Sequence, residues 1–182
     1  VIRNIAEALP YIEIENTRIQ RKLPDTLLIQ VQECGDPLAW TQDGTVWLMS
    51  PAGKIVEQTD TAAGHPTVDG CELLAPSVGT HQIAVDTAYE TRRESLLELL
   101  AVLDETGDLA KVDAIHLGEA SYISMDYMDR FTVKMPYQAD FSYKLRVLEL
   151  AINSDKIQDN MTGTFDMRQK DGQVIFDQDT RK

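Results

Sequence analysis

The three histidines, His65, His81 and His116, are the side chains of this sequence that could move a proton near neutral pH. His65 lies in a loop rich in Gly and Pro, His81 stands near a predicted strand start, and His116 is inside a strand pattern. None of them belongs to an H-E-x-x-H zinc motif or accompanies a G-x-S-x-G nucleophile turn. We therefore expect strand or loop histidines with no catalytic or metal-binding role.

Acidic side chains are numerous enough that pairs of them occur throughout the chain. Asp126 and Asp129 flank a predicted turn, and Asp104, Glu105 and Asp108 crowd the end of a predicted helix. Glycoside hydrolysis requires two carboxyl groups at a set separation across a cleft, and these spacings do not distinguish such a pair from solvated turn residues. Calcium-loop and Gly-rich phosphate-loop motifs are absent from the sequence. No catalytic residue, metal ligand or cofactor is predicted, which favours a binding module over an enzyme.

The composition fits one soluble domain of ordinary size, with a small appendage as the alternative. The chain has 182 residues, of which 43% are hydrophobic and 26% charged, so it can bury a core without metals or disulfides. Its formal net charge of −13 argues against a nucleic-acid partner, because such binding needs a concentrated basic face. Cys34 and Cys71 do not form a metal-binding pattern and are expected to be reduced and half-buried, although one bridge between them stays possible.

The sequence contains no stretch that resembles a signal peptide and no apolar run of the ~20 residues needed to span a bilayer. Val1 is not an initiator Met, and the chain starts inside a helical pattern. We therefore expect a fragment whose membrane anchor lies upstream.

The predicted elements start with a short helix, over residues 2–9, and two strands, over residues 15–22 and 27–33. A meander follows, with strands at 38–41, 46–49 and 54–57, and then an irregular segment over residues 59–80. The clearest helix runs from Arg92 to about Glu105, with a capping box formed by Thr91 and Glu94 and an apolar stripe that contains Leu99.

The remaining strands are predicted at residues 113–117, 122–127 and 130–135, and at 162–168 and 173–176. Between these two groups lies a second amphipathic helix, with Asp140 placed to cap it. The expected fold class is α+β, a mostly antiparallel sheet with two helices on one side.

The first strand pair is similar to a specific family. Residues 19–33 read IQRKLPDTLLIQVQE, which resembles the apolar-x-Arg-x-apolar-Pro-x-Thr-Leu-x-Ile-x-Val-x-Glu run in the POTRA module of FtsQ/DivIB division proteins. Further segments resembling that family follow in its order, at residues 47–56, 96–103, 113–117, 130–135, 144–148 and 163–167. In two respects the chain departs from the family: Cys34 follows Glu33 where the family often has Arg, and the strand and helix that open a POTRA module fall before Val1.

The resemblance implies a division of the chain and a role. Residues 1–34 would be the C-terminal half of an incomplete POTRA module, and residues 35–182 a β domain with a short polar tail. Members of the family are non-enzymatic scaffolds of the divisome that support septal cell-wall synthesis. Their partners are small single-pass proteins of the FtsL and FtsB/DivIC types. The implied location is the cell membrane, with one transmembrane helix upstream and this domain on the extracytoplasmic side at the septum.

The resemblance also implies that a partner strand is added along the last predicted strand, Gln173-Val174-Ile175-Phe176. Alternation places Val174 and Phe176 on one face and Ile175 on the other. The tail after Phe176 is polar and is not expected to form a strand, so the outer side of this strand should be unpaired.

Arg168 and Lys170 are basic positions close to this strand in an acidic protein. They would meet acidic residues of the partner, although exposed pairs are worth under ~1 kcal/mol. The alternative is that residues 173–176 are ordinary core and edge residues and that both basic side chains are merely solvated. Two other classes stay open, namely a cell-wall hydrolase or glycan-binding module of the envelope and a POTRA-type transport chaperone.

Overall fold

The computed structural model describes residues 9, 11–23, 25–169 and 173–179. Its strands are β1 (Ile12–Lys22), β2 (Thr26–Glu33), β3 (Leu38–Gln42), β4 (Thr45–Met49), β5 (Ile55–Thr59), β6 (Thr67–Asp69), β7 (Val112–His116), β8 (Tyr122–Tyr127), β9 (Phe131–Pro136), β10 (Gly163–Asp166) and β11 (Ile175–Gln178). Its α-helices are α1 (Glu90–Thr106) and α2 (Phe141–Ile152). The helix predicted over residues 2–9 falls almost wholly outside the described residues.

Nine of the strands form one sheet in the order β11-β10-β9-β8-β7-β6-β3-β4-β5. Five of its eight neighbouring pairs are antiparallel, and the pairs β3–β6, β6–β7 and β9–β10 are parallel. The predicted α+β class, with a mostly antiparallel sheet and two helices on one side, is confirmed. The β6–β7 and β9–β10 pairs are parallel because a connection that contains a helix joins each pair, and β6 is parallel to β3 because the loop after β5 crosses to the other side of β3.

The segment over residues 59–80 is not wholly irregular, which corrects the prediction. It contains β6, a strand of three residues that joins the β3–β5 meander to the rest of the sheet. The side-chain amide of Gln42 extends this region: it donates to the Leu73 carbonyl at 3.1 Å and accepts from the Leu73 N–H at 2.7 Å. The Gln42 side chain thus makes the two hydrogen bonds that the backbone of a neighbouring strand would make.

Helix α1 packs its leucine stripe on the sheet as predicted, with Leu96, Leu99, Leu100 and Leu103 fully buried. The predicted capping box is wrong. The helix follows directly from a 3₁₀ turn over Thr87–Tyr89, and Asp86 caps that turn by accepting from the Ala88 N–H at 2.9 Å. The helix ends at Gly107, whose φ of 74° gives the left-handed cap that glycine adopts at no steric cost.

Helix α2 begins as predicted at the Asp140 cap, whose carboxylate accepts from the Tyr143 N–H at 2.9 Å. It buries Phe141, Leu145 and Leu148 in the same core. Strands β8, β9 and β10 alternate, so that residues such as Met125, Val133 and Phe165 face the core.

The hairpin of β1 and β2 forms a separate two-stranded sheet. It touches the main body where the buried ammonium of Lys54 donates to the Ile12 carbonyl at 2.8 Å and where the Tyr11 hydroxyl bonds Glu57. The hairpin corresponds to the strand pair predicted over residues 15–33. Its assignment to a POTRA module, with a boundary after residue 34, stays a prediction.

Candidate partner-binding edge

Strand β11 lies at one edge of the nine-stranded sheet, antiparallel to β10. The Asp179 N–H donates to the Thr162 carbonyl at 2.9 Å, and this bond shows which alternate residues of β11 bond to β10. Ile175 and Asp177 therefore point their backbone groups at β10, whereas Phe176 and Gln178 point theirs away from the sheet. Among the residues that the structure describes, no backbone hydrogen bond reaches the outward groups of Phe176 and Gln178.

The start of the strand at the opposite edge of the sheet is covered by a loop. The Ile55 N–H of β5 donates to the Thr80 carbonyl at 3.1 Å, and the Ile55 carbonyl accepts from the Gly79 N–H at 2.9 Å. The Ile83 N–H adds a bond to the Gly53 carbonyl at 2.7 Å. Because the loop satisfies these outward groups, the start of β5 is a poor place for another strand, and β11 is the better candidate.

The strand is displaced from its predicted position by two residues, to Ile175–Gln178 instead of 173–176. The tail is therefore strand-forming at Asp177 and Gln178, contrary to the prediction. Gln173 is exposed and Val174 half-buried, and both precede the strand. An edge strand that is solvated on one face accommodates polar side chains, so the polarity of this stretch did not exclude a strand.

The predicted faces are confirmed. Val174 and Phe176 pack against the core, and Ile175 is 50% exposed on the other face. Phe176 ends a row of rings, with its centroid 4.7 Å from that of Phe165, which lies 5.0 Å from Phe131. Partial exposure of the last ring leaves apolar surface at the sheet edge where a partner side chain can pack.

Arg168 is already engaged within the domain, which changes its expected role. Its Nε donates to both carboxylate oxygens of Asp166, at 2.9 and 3.1 Å, and its guanidinium lies 4.9 Å from the centre of the Tyr122 ring. The hydrogen bonds raise the pKa of Arg168 and lower the pKa of Asp166. A partner carboxylate would have to compete with Asp166. Lys170 lies outside the described residues.

Two residues that shape this edge were not predicted from the sequence. Gln178 carries an outward N–H, and Gly163 is the residue of β10 opposite it. A Cβ built on Gly163 would lie 2.3 Å from the Asp177 carbonyl oxygen and 3.0 Å from the Gln178 Cα. The close approach of β11 therefore requires glycine at this position.

His116 is held between two carboxylates on the solvated face of the sheet. Its Nδ1 lies 2.9 Å from Asp69 Oδ2 on β6, and its Nε2 lies 3.2 Å from Asp126 Oδ2 on β8. Burial lowers the pKa of His116, but the hydrogen bonds to Asp126 and Asp69 outweigh burial, and the pKa is raised above its ordinary 6.5. With both ring nitrogens facing carboxylates, this histidine has no free nitrogen with which to take a proton from a substrate in this arrangement.

The clamp that Asp69 and Asp126 form around His116 predicts that the free energy of unfolding depends on pH. Because the pKa is higher in the folded state, the stabilisation is complete below pH ~6.5 and is lost as the pH rises through the folded-state pKa. Both carboxylates are partly exposed, so the loss should be about 1 kcal/mol or less. Urea unfolding at pH 6 and pH 9 measures it, and His116→Asn should remove this component.

His81→Asn is the matched control, because His81 is exposed; it should retain the pH dependence of the unmodified domain. Equal pH dependence in the His116→Asn and unmodified proteins would contradict the clamp.

His65 and Cys71 are two further candidates for chemistry. His65 Nδ1 lies 3.1 Å from the Pro37 carbonyl oxygen in a loop. Burial raises the pKa of the Cys71 thiol to about 11, which disfavours the reactive thiolate. Within the described part of the chain, no group of three or more His, Cys, Asp or Glu side chains is placed to hold a metal ion.

Comparison with known proteins adds no assignment. No protein-family model matches the chain, and no curated protein matches it by sequence. None of the helices in the described ranges is long and apolar enough to cross a membrane. The fold is an α+β domain in which no described residue bonds the outward backbone groups of Phe176 and Gln178 on the edge strand β11, and the family resemblance rests on the motifs quoted above.

Proposed function

We propose that this chain is the extracytoplasmic part of a division scaffold similar to FtsQ/DivIB, and that it binds a partner by strand addition along β11. The observation that carries the proposal is the contrast between the two sheet edges. The start of β5 is covered by a loop, whereas Phe176 and Gln178 on β11 direct their backbone groups outward. Strand addition gives these groups the partners that a sheet interior would supply.

The backbone can supply a useful part of the affinity. Phe176 and Gln178 each offer one N–H and one C=O, and each bond is worth about 0.5–1.5 kcal/mol net. The full set would give about 2–6 kcal/mol, which does not by itself overcome the cost of association for a tight complex. Side chains must add the rest, and the exposed parts of Phe176 and Ile175 offer apolar contact on the two faces.

The charged residues on and near β11 indicate which charged side chains the partner segment carries. Asp177 and Asp179 are exposed on or directly after β11, and Arg168 is paired with Asp166. A segment with apolar residues beside Phe176 and a Lys or Arg beside Asp177 therefore fits this edge. The family resemblance implies FtsB/DivIC-type and FtsL-type proteins as the partners and the septal membrane as the place. In this role the domain is a scaffold for septal cell-wall synthesis and performs no catalysis.

The experiment replaces Gln178 by Pro. This change removes an outward N–H and places a ring where a partner strand would lie, while the bonds to β10 remain. Gln178→Ala is the matched control, because it loses the same side chain and keeps the N–H. Affinity for the soluble extracytoplasmic segment of the FtsB/DivIC-type partner should fall at least about ten-fold in Gln178→Pro relative to Gln178→Ala, a loss equal to about one backbone bond.

Asp177→Pro completes the design, because the Asp177 N–H faces β10. It should lower the thermal stability of β11, whereas Gln178→Pro should not. Equal affinities of a folded Gln178→Pro variant and Gln178→Ala would reject strand addition along β11. No binding of either FtsB/DivIC-type or FtsL-type segments in a pull-down would reject the division-scaffold assignment itself.

A further inference from the structure

The parallel ladder between β9 and β10 lacks one backbone donor. The Gly163 N–H donates to the Arg130 carbonyl at 3.2 Å, and the Met167 N–H donates to the Lys134 carbonyl at 2.9 Å. In a parallel ladder of this phase, the carbonyl of Met167 would accept from the N–H of residue 136. Residue 136 is proline and has no N–H to give.

A lysine from helix α2 fills this position. The Lys144 ammonium donates to the Met167 carbonyl at 2.7 Å and to the Gln169 carbonyl at 2.9 Å. Lys144 is only 7% exposed, and none of the ion pairs among the described residues includes it. A buried ammonium is costly unless its donors are used, so the two carbonyls are the partners that keep this side chain in place.

We propose that Lys144 is a positioning residue that supplies the donor Pro136 cannot, and so fixes the chain where it leaves β10 for the edge strand β11. Met167 directly follows β10 and Gln169 lies two residues further on, and Ile175 of β11 lies opposite Asp166, the last residue of β10. Holding both carbonyls from α2 fixes the direction in which the chain departs. The role in binding rests on the proposed strand addition, whereas the role in positioning does not.

The positioning role is tested by amide hydrogen exchange in Lys144→Met, which keeps the length and apolar stem of the side chain. The amides of Met167 and Ile175 should exchange about ten-fold faster than in the unmodified domain, because the local hydrogen bonds open without global unfolding. The amides of β4 should keep their rates. Lys156→Met is the matched control, because Lys156 is exposed and its replacement should change neither set.

A rescue variant tests whether Lys144 acts by replacing the backbone N–H that Pro136 lacks. Pro136→Ala restores a backbone N–H that points at the Met167 carbonyl, so Lys144→Met/Pro136→Ala should regain most of the lost protection. If Lys144→Met does not fold, Lys144→Leu, which also lacks an N–H donor, takes its place in the same comparison. Unchanged exchange in the Lys144 variant, or a double variant without recovery, overturns the proposal.

Affinity for the partner segment separates this inference from the proposed function. Faster exchange of Ile175 together with several-fold weaker binding supports both. Faster exchange with unchanged binding supports the positioning role and shows that the closed form of β11 still predominates, so the Gln178→Pro experiment decides strand addition. Unchanged exchange rejects the positioning role, and the Gln178→Pro experiment still tests strand addition by itself.

Discussion

Replacing Leu99 by Ala is expected to lower the free energy of unfolding by about 2–5 kcal/mol. Leu99 is fully buried and lies with Leu96, Leu100 and Leu103 on the face of α1 that covers the sheet. Truncation removes apolar contacts and leaves a cavity, because a close-packed core relaxes only in part. Urea unfolding followed by circular dichroism measures the change.

Leu150→Ala on α2 provides the control for this experiment, because the same atoms are removed from a side chain that is 69% exposed. Its cost should be within about 0.5 kcal/mol of zero. Comparable losses in the two variants would mean that α1 does not form the cover of the sheet described here.

The features predicted well from the sequence are those with a local periodic signal. Strand β8 was predicted over its observed range, Tyr122–Tyr127, and the leucine stripe of α1 and the Asp140 cap of α2 were both found. In each case the pattern is repeated within one segment, so side chains a few residues apart report the same face. Burial of that face is then enough to fix the element.

The features that were missed depend on contacts distant in sequence. Strand β6 has three residues and exists because β3 and β7 pair with it on both sides, a relation that no local pattern encodes. The capping box at Thr91 failed because Asp86 caps a 3₁₀ turn that leads into α1. The parallel pairing of β9 and β10 also has no local sequence signal. The sequence therefore did not indicate that the Met167 carbonyl would lack a backbone donor at Pro136 and accept from Lys144 instead.

At the edge strand, alternation predicted which side chains face the core but not where the strand begins and ends. Phe176 and Ile175 take the predicted faces, whereas the strand itself continues to Gln178. The pairing of Arg168 with Asp166 had a signal in the sequence, because residues two apart in extended chain share a face. Because of this pairing, Arg168 is not simply available to a partner.

Replacing Gly163 by Ala is expected to displace β11 and to cost about 1–3 kcal/mol, as overpacking does. The added Cβ would lie 2.3 Å from the Asp177 carbonyl oxygen, 3.0 Å from the Gln178 Cα and 3.0 Å from a ring carbon of Phe176. The first two atoms are backbone, so rotating a side chain cannot relieve the contact. The amides of Asp177 and Asp179 should lose protection, which hydrogen exchange measures.

Gly118→Ala is the matched substitution, because the nearest atom to its added Cβ is 3.9 Å away, an ordinary van der Waals distance. It should leave stability within about 0.5 kcal/mol of the unmodified value. If Gly163→Ala keeps full protection of Asp177 and Asp179, the close approach of β10 and β11 is not required. If it loses that protection while partner affinity stays constant, the partner does not bind along β11, since a displaced strand cannot present Phe176 and Gln178 in register.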